Sequence, residues 1–369
     1  MEEEKRHLAH IEKIVAIRPI EGADNIEVAQ ILGWECVVQK KDNFKVGQLA
    51  IYVEVDSIMP DKPEFEFLRA RKFRIKTIKL RRQISQGLLL PLTAAFQVTA
   101  THVEEGQDVT ELLGVSHYDP ESSLNQNQSE YIPQSKFLKF LLKYWICRKL
   151  ILPFLRKKKE AWPQYISRTD EQRIQNIPRT LEIHKDKEFY VTEKIDYQSA
   201  TFFSRNVKDG LFTKRIFGVC SRNRWLKKED TSLYWKIARK YNLEEILLNH
   251  PDELTIQGEQ GDVSVQKNKY GLTGPRFWVF NIINNRTKKH FSLEEMEDFC
   301  AKYNLEMVPL LERKFKLPST VEEVVKFSIG KSVLAENVER EGVVVRNIED
   351  GQKISFKCIS PVFLLKHDQ

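Results

Sequence analysis

The first third of the chain alternates short apolar runs with turn chemistry. Ile11-Glu12-Lys13-Ile14-Val15-Ala16-Ile17 is apolar-rich and stops at Arg18-Pro19, and Gly22-Ala23-Asp24-Asn25 turns the chain into a second run, Ile26 to Leu32. Trp34 to Gln39 and Leu49 to Val55 repeat the style, with Val46-Gly47 turning between them. Runs of this length, bounded by Gly, Pro and Asn, predict strands, and their close spacing predicts a small barrel over residues 1–117.

The pattern breaks over residues 118–170. Asp119 to Ser129 is a polar loop rich in Ser, Asn and Gln. Phe137 to Leu155 is apolar, but it carries Lys139, Lys143, Arg148 and Lys149, with Pro153 near its end. Those charges oppose membrane insertion and predict a basic amphipathic helix docked on protein. Arg156-Lys157-Lys158-Lys159 comes next, and the whole segment reads as a linker between two domains. Residues 171–369 then mix strands (Phe189–Thr192, Leu254–Gly258, Phe277–Ile283, Gly342–Arg346, Lys353–Phe356) with helices. One helix is expected at Thr231–Asn242 and another from Ser292, with Glu295 in capping-box position. The pattern is α+β: a five-strand barrel of OB-fold size, then antiparallel sheets with flanking helices.

Composition adds limits. The 369 residues suit two domains, and 41% hydrophobic with 30% charged residues is the balance of a soluble globular chain. The net charge of +7, from 59 basic and 52 acidic residues, is too mild to name a partner by itself. Five scattered cysteines without a Cys-x-x-Cys pair argue against a disulfide framework or a zinc site and fit a reducing cytoplasm. The charged start, Met1 to Arg6, is no secretory signal.

The chemistry concentrates on Phe189-Tyr190-Val191-Thr192-Glu193-Lys194-Ile195-Asp196-Tyr197. Lys-x-Asp alone is weak, since it recurs at Lys40, Lys228 and Lys366. Lys194 stands out through the ordered segments downstream of it: Ser221-Arg222-Asn223, Ile256-Gln257-Gly258-Glu259, Phe277 to Ile282, Glu341-Gly342-Val343-Val344-Val345-Arg346, and Lys353 to Lys357. This series resembles the motifs of covalent nucleotidyltransferases. With the barrel placed first and Asp170 to Asn176 ahead of the lysine, it is similar to the Naegleria-type ATP-dependent RNA ligases.

That resemblance implies an ATP-grasp-like ligase domain in which Lys194 is the nucleophile. ATP would be held by Arg173, Thr192, Glu193, Arg222, Glu259, Phe280, Lys353 and Lys357. Asp196, Glu259 and Glu341 would hold Mg2+ or Mn2+. The residue types suit the reaction. An ammonium must lose its proton before attacking phosphorus, and nearby cations favour that loss. Lysines, arginines and a divalent ion stabilise charge that develops on the non-bridging oxygens. An aromatic strand residue such as Phe280 can stack on adenine. Two positions depart from the family pattern: Tyr197 stands where glycine is usual, and Lys353 and Lys357 lie four apart, with Ile359 where a second lysine is common.

Arg69 to Arg82 holds eight basic residues and no acid. Phe73 and Ile75, then Ile78 and Leu80, predict strands with a bulge at Thr77 and one strongly positive face. That face suits RNA phosphates, with Arg71, Arg74, Lys76, Lys79 and Arg81 as the expected contacts; a solvated edge guarded by lysines is the plainer alternative. Ile20 to Ile26 is also similar to the tRNA-binding barrels attached to some synthetases. The expected partner is RNA with 3′-hydroxyl and 5′-phosphate ends, joined by a monomer. mRNA guanylyltransferase, DNA ligase and a non-catalytic RNA-binding relative are the alternatives. The barrel's position ahead of the lysine motif argues against the first two.

Overall fold

The computed structural model describes residues 7–95, 103–118, 162–210, 212–228 and 232–367, and the four apolar runs of the first third all become strands. These are β1 (Ala9–Pro19), β2 (Ile26–Ile31), β3 (Trp34–Gln39) and β4 (Leu49–Val53). After β5 (Ser57–Ile58) and the hairpin of β6 (Ile78–Leu80) and β7 (Gln83–Ser85) comes β8 (Leu88–Leu90), and β9 (Ser116–His117) pairs with β5. The main sheet runs β3-β2-β1-β4-β8 and is antiparallel. Its ends nearly meet, because Gln86 N donates to Glu35 O at 2.8 Å and Val37 N to Ser85 Oγ at 2.9 Å. Period-two alternation sets the two sides of β4: Ala50 and Tyr52 pack with Ile31, Trp34 and Cys36, while Ile51 and Val53 pack with Phe65, Phe73, Ile75 and Leu113. The polar loop at Asp119–Ser129, the helix expected at Phe137–Leu155 and the run Arg156–Lys159 lie outside the described residues.

The basic segment differs from its expected form. Its first part ends a 3-10 stretch, Pro63–Arg71, which Lys72 and Phe73 close with left-handed backbones (φ 52 and 60). Although residues 73–75 form no strand, Phe73 and Ile75 are buried, and then Ile78 and Leu80 are half-buried with Lys79 exposed, so the phase shifts as expected at the buried Thr77. Its hydroxyl accepts a hydrogen bond from Gln86 Nε2 at 3.4 Å, which satisfies a polar group in an inward position.

The second unit holds β10 (Glu188–Lys194), β11 (Gln198–Asp209), β12 (Phe212–Cys220), β13 (Trp225–Leu226), β14 (Leu254–Gly261), β15 (Arg276–Asn284), β16 (Glu306–Met307), β17 (Leu310–Lys316), β18 (Gly342–Glu349) and β19 (Gln352–Ile359). They form a four-stranded sheet, β17-β10-β18-β19, and a six-stranded sheet, β13-β12-β11-β14-β15-β16. Pairing is antiparallel apart from β15 with β16. The helices Leu233–Lys240, Leu243–Asn249 and Leu293–Lys302 cover one face of the larger sheet through Trp235, Leu247, Met296 and Phe299, which pack on Phe202, Ile256 and Phe277. Ser292 and Glu295 form the expected capping box, and a second one at Thr320 and Glu323 starts the helix Val321–Ser328. That helix covers the smaller sheet, with Val321 and Val324 against Val191, Val343 and Phe356.

The chain passes from the smaller sheet to the larger through three residues, Ile195-Asp196-Tyr197, between the ends of β10 and β11. Lys194, the last residue of β10, pairs with Gly342, the first of β18. Glycine is needed there because a Cβ at 342 would lie 2.1 Å from the Cys358 carbonyl oxygen and 2.9 Å from Ile359 Cα, both backbone atoms. Gly342→Ala is therefore expected to lower stability by about 1–3 kcal/mol. Chemical denaturation checks this, and wild-type stability would show that the strand pair tolerates the methyl.

Candidate active site

Strand register puts the chemistry on one face of the smaller sheet and the core on the other. Thr192 lies opposite Val344 and Val344 opposite Lys357; Tyr190 lies opposite Arg346 and Arg346 opposite Ser355; Ile348 lies opposite Lys353. Directly opposed residues share a face, as do residues two apart. Lys194, Thr192, Arg346, Lys353, Ser355 and Lys357 therefore stand on one side, while Phe189, Val191, Val343, Val345, Phe356 and Cys358 form core on the other. The four-residue spacing of Lys353 and Lys357 thus keeps both on the polar face. Ile359 shares that parity, beside Gly342.

Lys194 donates to Glu341 Oε2 at 2.7 Å, and both side chains are largely shielded, at 26% and 15% exposure. Asp196, in the crossing, pairs with Lys269, and its N–H donates to the Tyr270 hydroxyl at 3.2 Å. Glu259 comes from β14, opposite Ser199. Burial pushes its carboxyl up to about 7; Glu341 adds to the rise, while Lys194 and Arg222 oppose it. Burial pushes the Lys357 amine down to about 8; Lys194, Arg173 and Arg222 add to the fall, and Asp170 opposes it. Burial likewise brings Lys269 down to about 8, with Lys194 lowering it and Glu341 opposing. Three lysines and three carboxylates thus act on one another around the sheet crossing.

Tyr197 takes up the space that the usual glycine would leave. It is buried, stacks on Trp278 at 6.2 Å between ring centroids, and meets Tyr270 edge-on at 5.2 Å. Gly261 makes room for it: a Cβ there would lie 2.5 Å from the tyrosine ring. Phe280 owes its position to a β-bulge. Register passes from Gln257–Asn281 to Gly258–Val279, which leaves Phe280 as the extra residue. Bulges re-aim side chains beside active sites. The Phe280 ring is half-buried, with the Arg346 guanidinium 5.4 Å from its centroid, and its carbonyl accepts from Arg346 Nη1 at 2.7 Å.

The other expected residues are spread more widely. Thr192 is buried on the Lys194 face, and Glu193 points to the opposite face. Glu193 Oε2 accepts from Val333 N at 2.8 Å, and Oε1 has no hydrogen-bond partner among the described residues. Burial raises its carboxyl above the usual range. Arg222 is exposed and pairs with Asp170 at 2.9 Å. Arg173 is bridged to the Lys357 backbone, while its guanidinium reaches the barrel at Asp56, 3.2 Å away. Lys353, on the Lys194 face, pairs with Glu171 at 2.9 Å. In the basic segment Arg71, Lys79 and Arg81 are exposed and Lys76 is half-buried, whereas Arg74 is tied to Asp56 at 2.6 Å.

Sequence reasoning missed Glu171 and Lys269. Glu171 is almost fully buried and holds Lys353 (2.9 Å), Arg346 (3.2 Å) and Ser355 together. Burial alone would raise its carboxyl; Lys353, Arg346 and Ser355 outweigh that and hold it at about 2. Its place beside Arg173 in the motif ahead of the lysine was the only signal that pointed to it. Nothing in the sequence around Lys269 marks it as a partner for Asp196.

Residues 8–92 match a family model described as an OB-fold domain, and residues 187–359 match one described as RNA ligase. Among solved structures, the chain is 31% identical to Naegleria gruberi RNA ligase with PPi, covering 99% of each chain at a TM-score of 0.79. It is 30% identical to a lysine-to-alanine mutant of that ligase with ATP and Mn, covering 98% of this chain and 99% of that one at 0.78. A lysine-to-methionine mutant with AMP and Mn matches at 30% over the same shares, at 0.79. No curated protein sequence matches.

The polar face of the smaller sheet keeps its shape through the Glu171 cluster. Glu171→Gln leaves Arg346 and Lys353 short of a buried counter-charge and is expected to cost about 3–5 kcal/mol. Urea unfolding measures the loss, and a loss below about 1 kcal/mol would contradict a structural charge centre.

Proposed function

The chain belongs to the RNA ligase family, and from that we propose that it seals a 3′-hydroxyl to a 5′-phosphate of RNA, using ATP, with Lys194 as its nucleophile. The observation that carries the assignment is the pairing of Lys194 with Gly342, which sets the amine 2.7 Å from Glu341 at the crossing of two sheets. In the first step Lys194 Nζ attacks the α-phosphorus of ATP, the bond to the β-phosphate breaks, and pyrophosphate leaves. Glu341 is within reach of the proton that Lys194 must lose. An RNA 5′-phosphate oxygen then attacks the lysyl-AMP phosphorus, which frees Lys194. The 3′-hydroxyl finally attacks the activated 5′-phosphate and AMP departs.

The surroundings support binding of ATP. Glu193 is assigned to the adenine edge from its place directly before Lys194 in the motif. Phe280, at its bulge, offers a half-open ring for stacking. Lys357, Arg173 and Arg222 supply positive charge for the phosphates, and Thr192 and Lys353 complete the proposed nucleotide set from the same sheet face. Asp196, Glu259 and Glu341 fit Mg2+ or Mn2+. Among the described residues no three His, Cys, Asp or Glu side chains converge into a direct cage. When bound, that ion offsets the negative charge gathering on the α-phosphate.

We also assign RNA ends to the face carrying Arg71, Lys76, Lys79 and Arg81, with Arg74 beside it, and divide the chain at about residues 117 and 171. The protein acts as a monomer on RNA ends, including those held in a nicked duplex, in the cytoplasm. The described Cys36, Cys220, Cys300 and Cys358 are all free and buried, which suits a reducing compartment, and no described helix is long and apolar enough to cross a membrane.

Lys194→Ala is expected to abolish the covalent protein–AMP adduct formed with labelled ATP while leaving the circular dichroism spectrum unchanged; full labelling of the mutant would overturn the assignment. The Lys357 amine, near 8, loses its charge as pH rises through that value, so the KM for ATP should climb above pH 8. Arginine stays charged there. Lys357→Arg should therefore flatten the climb in a pH series of adenylation rates, and an identical climb would remove Lys357 from the phosphate site.

A further inference from the structure

Asp56 follows β4 in the barrel with a left-handed backbone (φ 67), a conformation open to Asp and Asn. Its amide donates to Ile75 O at 2.9 Å and its carbonyl accepts from Tyr118 N at 2.8 Å, so the strained residue is held at both ends. Its two carboxylate oxygens face two arginines that serve different units. Oδ1 accepts from Arg74 Nη2 at 2.6 Å, and Oδ2 from Arg173 Nη2 at 3.2 Å. Arg74 belongs to the basic segment, and its guanidinium lies 3.8 Å over the Tyr118 ring. Arg173 lies beside Lys357 in the ligase unit and 5.6 Å over Trp34 of the barrel. All three charged side chains are mostly shielded, at 28%, 18% and 10% exposure, so water screens the pairs only in part.

We propose that Asp56 is a positioning residue that couples phosphate binding at the barrel's basic segment to phosphate binding at Arg173. The coupling rests on reading Arg173 as an ATP phosphate contact. One carboxylate divides its charge between two guanidinium groups. An RNA phosphate that draws Arg74 away lets Asp56 hold Arg173 more tightly, which disfavours ATP. ATP phosphates that draw Arg173 away tighten the hold on Arg74 and disfavour RNA, and linkage makes the two effects equal. The sign is negative, and it would separate ATP consumption from RNA engagement.

The test is the affinity of a fluorescein-labelled, 5′-phosphorylated RNA oligonucleotide with and without α,β-methylene-ATP and magnesium, in wild type and Asp56→Asn. Asparagine keeps the left-handed backbone and removes the charge. In wild type the analogue should weaken RNA binding by at least about fivefold, and in Asp56→Asn by less than about twofold. Each ligand alone should bind the variant at least as tightly as wild type, since a competing carboxylate is gone. Weaker binding of both ligands would mark a structural role and overturn the proposal, and an undiminished shift would do the same. The analogue's affinity for Arg173→Ala separates the two readings. If it equals wild type, the ATP role of Arg173 fails and the coupling falls with it. If it drops while the shift persists in Asp56→Asn, the coupling alone fails.

Discussion

The pairing of Lys194 with Gly342 is the constraint on which the rest of the site depends. Two strands far apart in sequence end at the same point, one on the amine and the other just after Glu341. Because a side chain at 342 would meet backbone on β19, the approach is close and its register fixed. Everything else converges on that point through the short crossing to β11, which brings Asp196 directly and Glu259 through the pairing of β11 with β14. The proposed nucleophile is thus mounted on paired strands of one sheet, with Glu259 brought in from the other, a more rigid mounting than a loop would give.

Around this point burial and charge set the proton affinities together. Burial lifts Glu259 and lowers Lys357 and Lys269, and the neighbours decide how far. A site holding lysines near neutrality and a carboxyl poised to ionise is ready for an incoming polyphosphate and cation, whose charges complement both. The Glu171 cluster is the contrasting case: its carboxylate is locked in the charged form by Lys353 and Arg346 and serves shape. From it Arg346 extends to the Phe280 bulge, so a buried ion pair positions an aromatic ring at the edge of the site.

The strands of the barrel and the order of the motifs were legible because they depend on local pattern: alternation, turn residues, and a lysine with its motifs downstream. The Ser292 capping box was legible for the same reason. In the basic segment the phase shift at Thr77 was legible, but the 3-10 stretch Pro63–Arg71 ahead of it, closed by left-handed Lys72 and Phe73, was not, because neither residue type announces a positive φ. Glu171 was not legible because its partners lie 175 or more positions away along the chain and meet it only after β18 and β19 pair. The β11–β12 hairpin, the bulge at Phe280 and the Asp196–Lys269 pair are likewise products of register, which no run of residues displays. The substitution of Tyr197 for glycine could be seen in the sequence, but the compensating Gly261 could not.

Three lysines stand at this crossing, and we assign the covalent step to only one of them. The direct measurement is incubation of the wild-type protein with ATP and magnesium, followed by proteolysis and mass spectrometry to locate the AMP adduct. The expected result is a single modified peptide, with AMP on Lys194. An adduct on Lys269 or Lys357, with Lys194 unmodified, would contradict the assignment.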